Sequence, residues 1–120
     1  MARILIVEDE LLIAEDIKQK LRRLGHAVVA HAATGEAAVQ RTAETKPDLV
    51  LMDVRLRGEM SGIEAAQRIS EFHDLAVVYV TANANGIDVG SPAPSRHFIL
   101  TKPFTITELE AVIAAACNSR

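Results

Sequence analysis

Three short runs of the chain are apolar without interruption: Ile4 to Val7, Leu49 to Met52 and Val77 to Val80. A strand with one wet face alternates apolar and polar residues, so unbroken runs predict strands covered on both faces. Ala27 to Ala30 and Phe98 to Leu100 are weaker strand candidates and fit positions at or near the sheet edges. Between the runs the hydrophobic period becomes helical. Ile13, Ile17, Leu21 and Leu24 fall on one face, and Gly25 supplies the stop. Thr34 is placed to cap a second, alanine-rich helix that ends before Pro47. Ile63, Ala66 and Ile69 mark a third stripe. In the last helix Thr105 and Glu108 form a capping box, and Leu109, Val112, Ile113 and Ala116 repeat at helical spacing.

Strands alternating with helices predict a parallel sheet with right-handed crossovers and helices on both faces. Five strands in one domain spanning residues 1–120 point to a doubly wound α/β fold with flavodoxin-like strand order 2-1-3-4-5. One stretch departs from the pattern. Asn83 to Arg96 holds Gly86, Gly90, Pro92 and Pro94 where a fourth helix belongs, so that helix is expected to be short or irregular.

Composition narrows the function. With 49% apolar and 24% charged residues, the chain has ordinary globular usage. A formal net charge of -3 argues against a surface that neutralises nucleic-acid phosphates, and no direct nucleic-acid binding is expected. The single cysteine, Cys117, allows no disulfide within the chain and no cysteine-based zinc site. The first apolar run is too short for a signal-peptide core or a membrane span, so the expected setting is cytoplasmic, without membrane insertion. His26, His31, His73 and His97 are scattered without metal-ligand spacing and are read as surface or hydrogen-bonded histidines. No glycine-rich phosphate loop follows the first strand, which argues against a P-loop or Rossmann nucleotide site.

In an open parallel sheet, ligands bind outside the carboxyl ends of the strands. Glu8 and Asp9 end the first strand, Asp53 the third, Thr81 the fourth and Lys102 the fifth. With strands 1 and 3 adjacent, three carboxylates share one pocket. They repel one another unless a cation intervenes, and hard oxygen donors of this kind suit Mg2+. Asp53 can then serve as a covalent phosphoryl acceptor, with Thr81 donating to a phosphoryl oxygen and Lys102 adding positive charge. Each residue also has an ordinary structural reading: the acidic pair as a helix cap, Asp9 in particular, Asp53 as a turn residue, Thr81 as a strand end and Lys102 as a solvated charge. Convergence of four strand ends on one chemistry favours the site.

With these residues in place, the whole chain resembles a response-regulator receiver domain of the stand-alone type. The likeness is carried by Ile4 to Glu10 (ILIVEDE), Pro47 to Val54 (PDLVLMDV), Gly62 to Glu64 (GIE), Thr81 with Ala82, and Thr101 to Phe104 (TKPF). It implies that Asp53 takes a phosphoryl group from a sensor histidine kinase or histidine phosphotransfer protein. It also implies that Glu8, Asp9, Asp53 and the backbone carbonyl of Arg55 hold magnesium, that the Lys102–Pro103 bond is cis, and that output passes to an unknown downstream protein. Three departures from the family pattern stand out. The stretch Asp53 to Gly62 (DVRLRGEMSG) is one residue longer than the common form and carries Arg57 where proline is usual. Ile99 occupies the position where switching receivers carry Tyr or Phe, and the fourth helix region is broken. Ile99 removes aromatic rotation, so the expected switch runs from Thr81 through Ala82 into Asn83 to Arg96. The competing readings are a phosphorylation-independent interaction domain and a small-molecule aspartyl phosphotransferase; against the latter, Arg55 stands where a second strand-end acid is needed.

Overall fold

The computed structural model describes residues 1–90 and 93–119. Five strands, β1 (Arg3–Val7), β2 (Ala27–Ala32), β3 (Leu49–Asp53), β4 (Ala76–Thr81) and β5 (His97–Thr101), form one parallel sheet in the order β2-β1-β3-β4-β5. The expected order is therefore the observed one. The two weak runs are the two edge strands, which explains their lower hydrophobicity: β2 and β5 are only partly buried, whereas β3 is buried at every position.

Four helices cover the sheet: α1 (Leu11–Arg23), α2 (Gly35–Thr45), α3 (Gly62–Phe72) and α4 (Ile106–Cys117). Helices α1 and α4 pack Ile17, Leu21, Leu109 and Ile113 against Ile4, Ile6, Leu51 and Val78 on one face. Helices α2 and α3 pack Ala38, Ala65, Ala66 and Ile69 against Leu5, Val50, Met52 and Tyr79 on the other. Alternate residues of β1, β3 and β4 thus enter opposite cores, which is why those strands are continuously apolar. Burying each such aliphatic side chain contributes about 1.5–3 kcal/mol.

The expected caps form. Thr34 Oγ1 accepts from Ala37 N at 3.1 Å. Thr105 and Glu108 bond reciprocally at the start of α4. Helix α1 closes where Gly25 was expected to stop it, with the Leu24 and Gly25 amides bonding back to Lys20 and Arg22. Asp9 is not a cap for α1: Glu10 is the N-cap residue and makes no side-chain cap bond. At the far end of α2, Arg3 donates from Nη1 to Lys46 O and from Nη2 to Thr45 O, both at 2.7 Å, and so places a cation at the helix C-terminus.

The segment after β4 is irregular, as its glycines and prolines require. Only a three-residue 3-10 turn, Ala84–Gly86, stands where a fourth helix belongs among the described residues; Pro92 lies outside them. Among the described residues of the segment, Ile87 and Val89 pack against the core cluster that contains Tyr79. No helix among the described residues is long and apolar enough to cross a membrane.

Candidate functional site

Parallel strands deliver their carboxyl ends to one edge, and the ladder continues far enough there to fix the site backbone. Glu8 N donates to Ala32 O at 3.0 Å, Val54 N to Val80 O at 3.2 Å and Lys102 N to Thr81 O at 2.8 Å. These bonds hold the residues that follow β1, β3 and β5 against their neighbouring strands. A cleft of about 490 Å³ opens over them, lined by Asp9, Asp53, Arg55, Thr81, Asn83 and Lys102 among others.

Three carboxylates meet in this region. One oxygen from each of Glu8, Asp9 and Asp53 can be chosen so that all lie within 4.8 Å of one another. Lys102 Nζ bridges two of the acids, 3.3 Å from Asp53 Oδ2 and 3.4 Å from Glu8 Oε2. The other Asp53 oxygen, Oδ1, accepts from Arg55 N at 3.1 Å, and Glu8 Oε1 accepts from Glu10 N at 3.2 Å. Asp53 is 6% exposed and Glu8 only 2%. Burial, followed by the adjacent Asp53, raises the Glu8 pKa from 4.5 to about 7, against the opposing pulls of the Glu10 amide and Lys102. Burial also disfavours the charged form of Lys102, but Asp53 and Glu8 more than offset it and its pKa rises.

Three acids, two of them bridged by the Lys102 ammonium, leave the cluster rich in oxygen donors. That donor set fits a hard divalent cation such as Mg2+, which takes carboxylate and carbonyl oxygens and retains water in the remaining positions. Proximity thus joins Glu8, Asp9, Asp53 and Lys102. Thr81 lines the same cleft, but its hydroxyl is turned to its own loop, accepting from Asn83 N at 3.2 Å and lying 3.4 Å from Asn83 O. Ala82 is exposed at the cleft and borders a second groove formed with Ile13, Ile17, Pro103 and Phe104. The Lys102–Pro103 peptide is cis. Ile99 is 40% exposed on the edge strand β5, away from the acids.

Two contacts were not visible in the sequence. Arg57 N donates to Asp9 Oδ2 at 3.2 Å, and Arg57 Nε stands 3.5 Å from the same oxygen. His31 Nε2 meets the Glu8 carbonyl at 2.7 Å. Both link residues distant along the chain, so no local spacing announces them; the unusual Arg57 was the one available signal. The other histidines behave as read, with His26 Nδ1 accepting from Ala2 N at 2.9 Å and His97 Nδ1 2.8 Å from Pro94 O.

Residues 4–114 match the family model of the response regulator receiver domain. The chain is 36% identical over 114 residues to the phyllosphere-induced regulator PhyR of Methylorubrum extorquens, covering 94% of this chain and 42% of that protein. It is 37% identical over 118 residues to the transcriptional regulatory protein PdtaR of Mycobacterium tuberculosis, covering 97% and 57%. The chain therefore spans about half the length of these relatives. Among solved structures, the response regulator PhyR of Brucella abortus superposes with a TM-score of 0.84 at 37% identity, over 97% of this chain and 47% of that one. The signal receiver domain of a modulated diguanylate cyclase from Desulfovibrio desulfuricans gives 0.86 at 28% identity, over 98% and 94%. Sequence and fold agree over nearly the whole length, and the chain belongs to the response regulator receiver family.

Proposed function

We propose that this chain accepts a phosphoryl group on Asp53 from the phosphohistidine of a histidine kinase or phosphotransfer protein, in the cytoplasm, and signals through altered protein–protein contacts. The observation that carries the reading is the convergence on one point of Asp53 Oδ2, Glu8 Oε2 and Lys102 Nζ, with Asp9 beside them. A carboxylate oxygen of Asp53 attacks phosphorus, and the phosphorus–nitrogen bond to the donor histidine breaks, its electron pair returning to the imidazole. Lys102 is placed to pair with a phosphoryl oxygen as it leaves the Asp53 carboxylate. Thr81 has only to turn its hydroxyl from Asn83 to do the same. Glu8, Asp9, Asp53 and the Arg55 carbonyl are the residues assigned to magnesium, which when bound supplies charge neutralisation for the transferred group. Arg55, rather than a second acid, lines the cleft two residues after Asp53, which favours a switching module over an aspartyl phosphotransferase acting on small molecules.

The downstream partner is read as another protein, because the net charge of -3 disfavours nucleic acid. PhyR of Bartonella quintana is described as an anti-anti-sigma factor; the match covers 46% of that chain, so a sigma-factor role does not transfer here. Incubation with a small acyl-phosphate donor and magnesium, followed by peptide mass spectrometry, should place the modification on Asp53. Asp53→Asn should fold normally and take up none. Uptake by the Asn variant at the wild-type rate would reject the assignment.

A further inference from the structure

We infer that Arg57 is a built-in competitor for the cation site: its guanidinium partly neutralises Asp9 and lowers the affinity of the acidic cluster for Mg2+. The inference rests on the metal reading given above and assigns a regulatory role to a loop residue outside the acid cluster.

The geometry that places Arg57 is set by the loop itself. Leu56 and Met60 anchor the loop from β3 to α3 by packing against the core beneath α2 and α3. Between them the chain turns at Gly58, whose φ of 98° lies in the region that favours glycine. The turn leaves Arg57 facing away from that core and over Asp9. Its backbone amide donates to Asp9 Oδ2, and its side chain reaches the same oxygen. One acid of the three is thus already opposed by a positive charge belonging to the loop that follows Asp53.

The magnitude of the effect follows from exposure. The Arg57 side chain is 80% exposed and that of Asp9 15%. An ion pair so open to water is weak and easily displaced, so Arg57 attenuates cation binding without blocking it. Coulomb repulsion between a guanidinium and a divalent ion near the same carboxylate acts in the same direction, and salt screens both effects. Occupation of the cluster and release of Arg57 toward solvent are therefore linked.

Magnesium titration of the metal-free protein, followed by amide shifts at residues 8–10 and 53–55, tests this on the wild type and on Arg57→Ala, Arg57→Lys and Asp9→Asn. Arg57→Ala should bind about two- to fivefold more tightly. Arg57→Lys should stay near the wild type, because the charge remains, and the gap between wild type and Ala should narrow as sodium chloride is raised. Asp9→Asn should bind more weakly than any of them. A purely structural role for Arg57 predicts the opposite sign, since a loosened loop would weaken binding. Equal or weaker binding by Arg57→Ala, or a Lys variant that behaves like Ala, overturns the inference alone. Absence of any magnesium-dependent shift at these residues in wild type and Ala variant alike overturns the metal reading and the inference together.

Discussion

Glu8 sits beneath the cleft with one oxygen on Lys102 and the other on the Glu10 amide, and burial keeps a proton on it to unusually high pH. Its folded pKa of about 7 lies above the ordinary 4.5, so between those values the folded protein holds a proton that the unfolded chain has released. Stability from this group is then present in full below about 4.5 and is lost as the pH rises through about 7. Thermal unfolding of the metal-free protein should show that decline, and Glu8→Gln, which has no proton to lose, should flatten it. Saturating magnesium, which favours the ionised carboxylate, should restore stability at neutral pH. A decline of the same steepness in wild type and Gln variant would remove Glu8 as its source. At this scale the sequence supplied the identities of the acids but not their protonation, because a carboxylate's pKa depends on what covers it and nothing local to Glu8 reports that.

Helix α3 shows what one position does for a whole element. Gly62 opens the helix with its amide donating to Val54 O at 3.0 Å, after Ser61 Oγ caps it by accepting from Glu64 N at 3.2 Å. A Cβ built on Gly62 would overlap the Asp53 carbonyl oxygen, so the helix starts flush against the backbone of the proposed acceptor. Gly62→Ala should therefore destabilise the fold by about 1–3 kcal/mol and slow phosphorylation by displacing Asp53. Denaturant unfolding checks the first effect and donor uptake the second; a variant matching the wild type in both would show that the contact is dispensable. Much of the helical structure was legible because caps and apolar stripes are decided within four residues. The Thr34 cap and the Thr105–Glu108 box are legible in this way, whereas nothing marks out the Ser61 cap among the polar residues of its loop.

Across the whole molecule, the open question is how a change at Asp53 reaches the surface. Ile99 has no ring to swing inward and no hydroxyl to re-pair, and it is partly exposed in any case. The path available runs from Thr81 into the segment from Asn83 to Arg96. The Thr81 hydroxyl already bonds the Asn83 backbone, and Ile87 and Val89 of the segment pack against the core cluster that contains Tyr79. In that cluster the Tyr79 hydroxyl is buried with no hydrogen-bond partner among the described residues, and burial pushes its pKa up to about 12. Phosphorylation should accordingly turn Thr81 inward and reshape this segment, as an order–disorder or loop switch. Relaxation-dispersion NMR with and without a phosphoryl mimic measures it; identical exchange and shifts for residues 83–90 in the two states would sink the idea. The sequence by itself determined the order of elements, the central and edge strands and the four strand ends that carry the acids, Thr81 and Lys102. Continuous apolar runs reveal two-sided burial, and a parallel sheet necessarily gathers its carboxyl ends on one edge. Only the tertiary structure decided that Lys102 bridges Glu8 and Asp53, that Arg57 crosses 48 positions to Asp9, and that the Tyr79 hydroxyl is buried with no partner among the described residues. Those outcomes depend on which side chains from distant segments compete for the same few ångströms, and that competition leaves no period or spacing in the chain.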